Sequence, residues 1–212
     1  MKKISFFLSI LLCFLVILTS CQRGNETDNG APASTDAVSP MDVSALDVFE
    51  YISIGQYKGM TVEYKLSVTD KGDALFEAIL DNTMVLKYPE QQVDYYYNQI
   101  KAKYIYLAKS ENETYESLLS YLGVTEADIL AEAKRMTLGD LVREAIYRLE
   151  GIELSEQERA ENYDVYVRIF TEMYGYTEEY VKSNLTDEIY ETMRYDKMIE
   201  KLILMNELVV IE

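Results

Sequence analysis

The chain has 212 residues, 49% of them apolar, enough to bury the core of one ordinary domain or two small ones, and disorder throughout is excluded. Twenty Lys and Arg stand against 37 Asp and Glu, a formal charge of −17, which excludes a nucleic-acid binder because neutralising phosphates needs clustered cations. Histidine is absent and both cysteines, Cys13 and Cys21, lie near the N-terminus, so imidazole acid–base chemistry, most zinc sites and a thiolate nucleophile in the body are excluded.

Lys2 and Lys3 precede an uncharged apolar run from Ile4 to Leu18, shorter than the roughly 20 residues a membrane-spanning helix needs, as in a secretory signal peptide. The run ends in Leu18-Thr19-Ser20-Cys21, which resembles the bacterial lipobox, in which the cysteine is diacylated and becomes the mature N-terminus. Residues 1–20 are therefore expected to be a lipoprotein signal peptide and Cys21 the lipidation site, with export by the general secretory route since there is no twin Arg. Removing residues 1–20 leaves 18 cations against 37 acids, a charge of −19, so membrane attachment is expected to come from the acyl chains alone. Residues 21–46 are rich in Ser, Thr, Asp, Asn, Gly and Pro and read as a linker; a coil of about 24 residues reaches roughly 27 Å.

Residues 47–70 read as an extended connecting segment: short apolar runs lie either side of Gly55 and Gly59, and partial alternation from Thr61 to Leu66 suggests one short strand. From Lys71 the period becomes helical. Leu75 with Ile79 and Phe76 with Leu80 predict a short helix ending near Tyr88, and Pro89 fits the first turn of the next. There, Val93, Tyr97, Ile100, Tyr104 and Leu107 form a stripe that needs a partner along its length. Thr125 with Asp128, and Ser155 with Glu158, predict capped helix starts, while Gly123, Gly151 and Gly175 mark helix ends. Ala160, Tyr163, Val167, Phe170 and Tyr174 form another seam, and a last long helix is predicted from Thr186. The fold class is all-α: about seven helices in residues 71–212, arranged as antiparallel arms rather than one bundle.

The sequence Tyr88-Pro89-Glu90-Gln91-Gln92-Val93 resembles the opening of the first arm in the C-terminal chaperone domain of bacterial trigger factor. The passage from Ala145 to Glu158, with its Glu150-Gly151-Ile152 turn, is similar to that family's repeated passage. Tyr174-Gly175-Tyr176 and the run Tyr195 to Leu202 keep the same order, and Ile54 to Val62 resembles the segment preceding the isomerase domain in full-length members. The resemblance spans residues 48–212 and implies long arms of the trigger factor C-terminal/SurA-like type. A full-length member carries an FKBP-type prolyl isomerase between the extended segment and the Lys71 helix; here only a handful of residues intervene, and the ribosome-docking domain is missing too. The resemblance thus implies a non-enzymatic, ATP-independent holdase, lipid-anchored outside the cytoplasm, with unfolded or nascent exported polypeptides as partners and no ribosome, nucleic acid or cofactor.

Tyr outnumbers Phe 19 to 6 and nine Met are present. Tyr offers a large ring with a wettable hydroxyl and Met an adaptable thioether, a palette suited to cradling varied chains. Tyr95, Tyr96 and Tyr97 cannot all face one neighbour, since successive helical positions diverge by about 100°, so at least one exposed ring is expected there. The client-binding candidates are Tyr95, Tyr96, Tyr106, Tyr115, Tyr121, Met173, Tyr174 and Tyr176. The acid groups Glu111, Glu113 and Glu116, and Glu156, Glu158 and Glu161, read as solvated helix faces; neither a catalytic residue nor a metal site is expected. Two other readings are a surface scaffold that binds one folded partner and an isomerase-related foldase.

Overall fold

In the computed structural model residues 38–211 are described, and they are 67% helical. Residues 38–46, expected to belong to the linker, are instead folded onto the body. Asp42 and Asp47 each accept a backbone N–H and so cap two short 3-10 turns, Val43–Ala45 and Val48–Glu50. Val43 and Leu46 pack on the core, and the Ser44 carbonyl accepts from Arg148 at 2.8 Å.

The extended segment holds two strands where one was expected. β1 (Ile52–Ser53) pairs antiparallel with β3 (Met84–Val85), and β2 (Thr61–Tyr64) pairs parallel with β4 (Glu207–Val210). Both partners lie where helix was predicted. Helix α1 (Lys71–Asp81) stops seven residues before Tyr88 because Asn82 caps it and the two residues of β3 satisfy their backbone groups against β1. Tyr88, preceding Pro89, is in any case biased away from helical backbone. β4 follows the last helix directly, and the two chain regions are stitched by Asn206, which accepts the Met60 N–H at 2.9 Å and donates to the Tyr57 carbonyl at 3.1 Å.

The remaining helices are α2 (Glu90–Ser110), α3 (Tyr115–Leu122), α4 (Glu126–Glu150), α5 (Glu156–Tyr174), α6 (Glu178–Asn184) and α7 (Thr186–Leu204). With α1 they make seven helices among the described residues. Both predicted capping boxes form at Thr125/Asp128 and Ser155/Glu158, and Gly123, Gly151 and Gly175 close helices in the left-handed region. Gly55 has a different reason to be glycine: a Cβ there would stand 2.0 Å from the Asn82 carbonyl oxygen.

Helix α4, 25 residues and so about 37 Å long, does two jobs. Its C-terminal half supplies Leu141, Val142, Ala145 and Ile146 to a core completed by Val48, Ile52, Leu75, Ile79, Met198 and Leu202, all buried. Its N-terminal half leaves that base and packs against α2, with α3 folded over the end; this is the first arm. The second arm is α5 running back against the first half of α7, joined through α6, with Val167, Phe170, Val181, Ile189 and Met193 between them.

Candidate client-binding surfaces

In the first arm the polar side chains settle which rings are structural. Gln92 and Tyr96 both donate to the buried Asp140 carboxylate, at 2.8 and 2.6 Å, and Arg143 lies against its other oxygen. Burial first, and the adjacent Asp140 second, push the Tyr96 hydroxyl well above its ordinary pKa, so it stays a donor. About four turns earlier on α4 than Asp140, Glu126 accepts from Tyr97, from Tyr115 at 3.0 Å and from Lys101 at 3.1 Å. The Tyr97 bond, ahead of Lys101 and Tyr115, holds the Glu126 carboxyl below the usual range. Tyr95 packs edge-on against Tyr96 with ring centres 5.2 Å apart.

The expectation that one of Tyr95, Tyr96 and Tyr97 stands exposed is therefore corrected: all three are half-buried, because α4 lies along one side and the long Tyr side chains reach Asp140 and Glu126 on it. Tyr115 is also half-buried and committed to Glu126. What faces solvent lies farther out. Glu126 sits level with Tyr97 and Lys101; toward the end of α2, where α3 packs and Ala108 is buried, Leu107 at the end of the predicted stripe is exposed. Tyr106 is 75% exposed and Tyr121 on α3 is 87% exposed, with Leu122 and Leu130 exposed at the same end.

The second arm carries a row of rings around its own tip. Phe170, Tyr174, Tyr176 and Tyr180 follow with centres 5.6, 6.2 and 5.0 Å apart, the last pair stacked. Tyr174 and Tyr176 are half-buried within this row, whereas Met173 is 69% exposed. Met173 continues a stripe with Val165 and Ile169, four residues apart and all exposed on the face of α5 turned from α7. Met173 is among the expected client-binding candidates; Val165 and Ile169, which share its face at the same spacing of four, are not.

Near the root of the second arm a shallow hollow of about 390 Å³ is lined by Glu156, Arg159, Ala160, Tyr163, Asp164 and Tyr190. The Arg159 guanidinium lies 5.0 Å from the centre of the Tyr190 ring. Of the two acid groups, Glu111, Glu113, Glu116, Glu156 and Glu161 are exposed; Glu158 is held at about 2, first by the ion pair with Lys197 and then by the Ser155 cap. That carboxylate is already committed. Cys21 lies outside the described residues. Compared with protein-family models, with curated proteins and with solved structures, the chain matches none.

Proposed function

We propose that the chain is a lipid-anchored extracytoplasmic chaperone of the trigger factor arm type, an ATP-independent holdase for unfolded or newly exported polypeptides. The observation that carries this reading is the placement of exposed apolar side chains at the far parts of both arms: Tyr106, Leu107, Tyr121, Leu122 and Leu130 on the first, Val165, Ile169 and Met173 on the second. Exposed apolar residues are ordinary and the base carries its own, Leu66 and Leu204 among them, but these eight lie on helices that project from the packed core. Two such surfaces on one chain suit a client long enough to touch both.

The chemistry proposed is contact rather than bond making. Only six residues separate Tyr64 at the end of β2 from Lys71 at the start of α1, where the resembled family inserts its isomerase. Covering a few hundred Å² of apolar surface at about 25 cal/mol per Å² gives several kcal/mol before ordering costs, which leaves affinity on the order of micromolar, suited to catch and release.

The test is suppression of light scattering by an aggregating, refolding protein. A variant with Tyr106, Tyr121, Ile169 and Met173 all changed to Ser should keep its helical circular dichroism and lose most of the suppression. Full suppression by that variant would refute the reading.

A further inference from the structure

Exposed apolar side chains also lie on the base, at Leu66, Val68, Leu204 and Val210 and at Phe49, Met84 and Leu86. Met84 and Leu86 are two residues apart on an extended stretch and so point to the same side, 59% and 54% exposed, while Val85 between them packs on the core. Phe49, 41% exposed, comes from the turn just before β1. The N–H groups of Leu86 and Lys87 both donate to the Tyr51 carbonyl, at 2.8 and 3.1 Å, which holds the Met84–Leu86 stretch beside the turn that carries Phe49. Lys87 and Glu50, next to Leu86 and Phe49 in sequence, pair with each other at 3.1 Å.

The described chain begins against the helix that follows this stretch. Ser39 accepts from Gln91 at 3.3 Å and the Met41 N–H donates to Gln92 at 2.8 Å, so residues 39–41 lie on the first turn of α2, five residues from Leu86. Cys21 precedes Val38 by 17 residues, a stretch that spans at most about 60 Å when fully extended. From this point α2 runs 21 residues, about 30 Å, to the Tyr106 end of the first arm.

We infer that the rim of Phe49, Met84 and Leu86 is a seat for the lipid surface, which turns the end of the base where residues 39–41 lie to the bilayer and leaves the end of the first arm about a helix length away. The inference rests on the lipoprotein reading of Cys21. A bilayer suits this rim better than a second copy does, because three side chains fall far short of the roughly 800 Å² per partner of a stable interface. A weak seat suffices because an anchor on a short tether gives an effective concentration near millimolar.

The chain has no Trp, so a substituted Trp is a single reporter. The full lipidated protein carrying Phe49→Trp or Met84→Trp, with Tyr121→Trp as the arm control, is reconstituted into phosphatidylcholine vesicles containing a bromolipid quencher. At least twofold quenching with a blue-shifted emission is expected at positions 49 and 84, and none at 121. Flotation with the vesicles but no quenching at 49 and 84, or equal quenching at 121, would overturn the seat and leave the anchor standing. Failure to float would overturn the anchor and the seat together. A blue shift that needs no lipid and grows with protein concentration would assign the rim to a second copy and overturn the lipid seat. Using two reporter positions covers the case in which one variant does not fold.

Discussion

Glu150, at the end of α4, ties three parts of the base together. Its side chain, 6% exposed, pairs with Lys58 at 2.6 Å and Lys201 at 3.2 Å and accepts the Tyr57 hydroxyl at 2.8 Å. These partners, Lys58 first, hold its carboxyl at about 2 against the opposing effect of burial, below an ordinary value of about 4.5. A depressed carboxylate pKa contributes stability that is full above about 4.5 and is lost as pH falls toward 2. Glu150→Gln should therefore lower unfolding free energy at pH 7 by about 1–2 kcal/mol, less than a fully buried pair because Lys58 is half in solvent. The same change should flatten the fall in stability between pH 4.5 and 2. Urea unfolding at stepped pH checks both; an unchanged acid limb would remove Glu150 from the account. The candidate tyrosines divide at this scale as well: Tyr96 and Tyr115 are tied to carboxylates, Tyr106 and Tyr121 are not buried at all. Nothing in the local sequence separates them, because what differs is which ring comes within reach of a carboxylate on α4.

Helix α4 gives the prediction at the scale of elements, since one half belongs to the base and the other to an arm. Leu141→Ala removes a fully buried side chain from the core and should cost about 2–5 kcal/mol. Thr125→Ala removes one side of a capping box at the arm end and should cost about 1 kcal/mol. Tyr121→Ser, on an exposed face, should change stability by no more than about 0.5 kcal/mol. Thermal and urea unfolding of the three variants checks that order. A large loss from Tyr121→Ser would mean that its ring is structural. The helix ends were legible because their signals are local: Thr125 with Asp128, Ser155 with Glu158, and the three closing glycines all act within a few residues. The strand pairing was not, because β2 and β4 are partners 146 residues apart: Leu208-Val209-Val210 favours a strand, but nothing near it names Thr61–Tyr64 as the partner. The folded stretch 38–46 escaped for the same reason: its polar composition reads as linker, while its contacts are with Gln92 and Arg148, far along the chain.

At the scale of the whole molecule, charge and address set what the arms can meet. With −19 after loss of residues 1–20 the chain has no electrostatic attraction to anionic headgroups, so the proposed anchor depends on Cys21. Cys21→Ser should release the protein from the membrane fraction, and mass spectrometry of the wild-type protein should find Cys21 diacylated; an unmodified Cys21 would sink the lipoprotein reading. The central claim, that exposed apolar side chains on the arms hold unfolded chains, is tested most directly by fluorescence anisotropy of a labelled, permanently unfolded polypeptide titrated with the purified protein, at physiological and at high salt. Contact through apolar surface predicts a dissociation constant on the order of micromolar, unweakened by salt, and no competition from the same polypeptide in its native fold. Tight binding of one native protein, indifference to unfolded chains, or binding that vanishes as salt screens surface charge would contradict it.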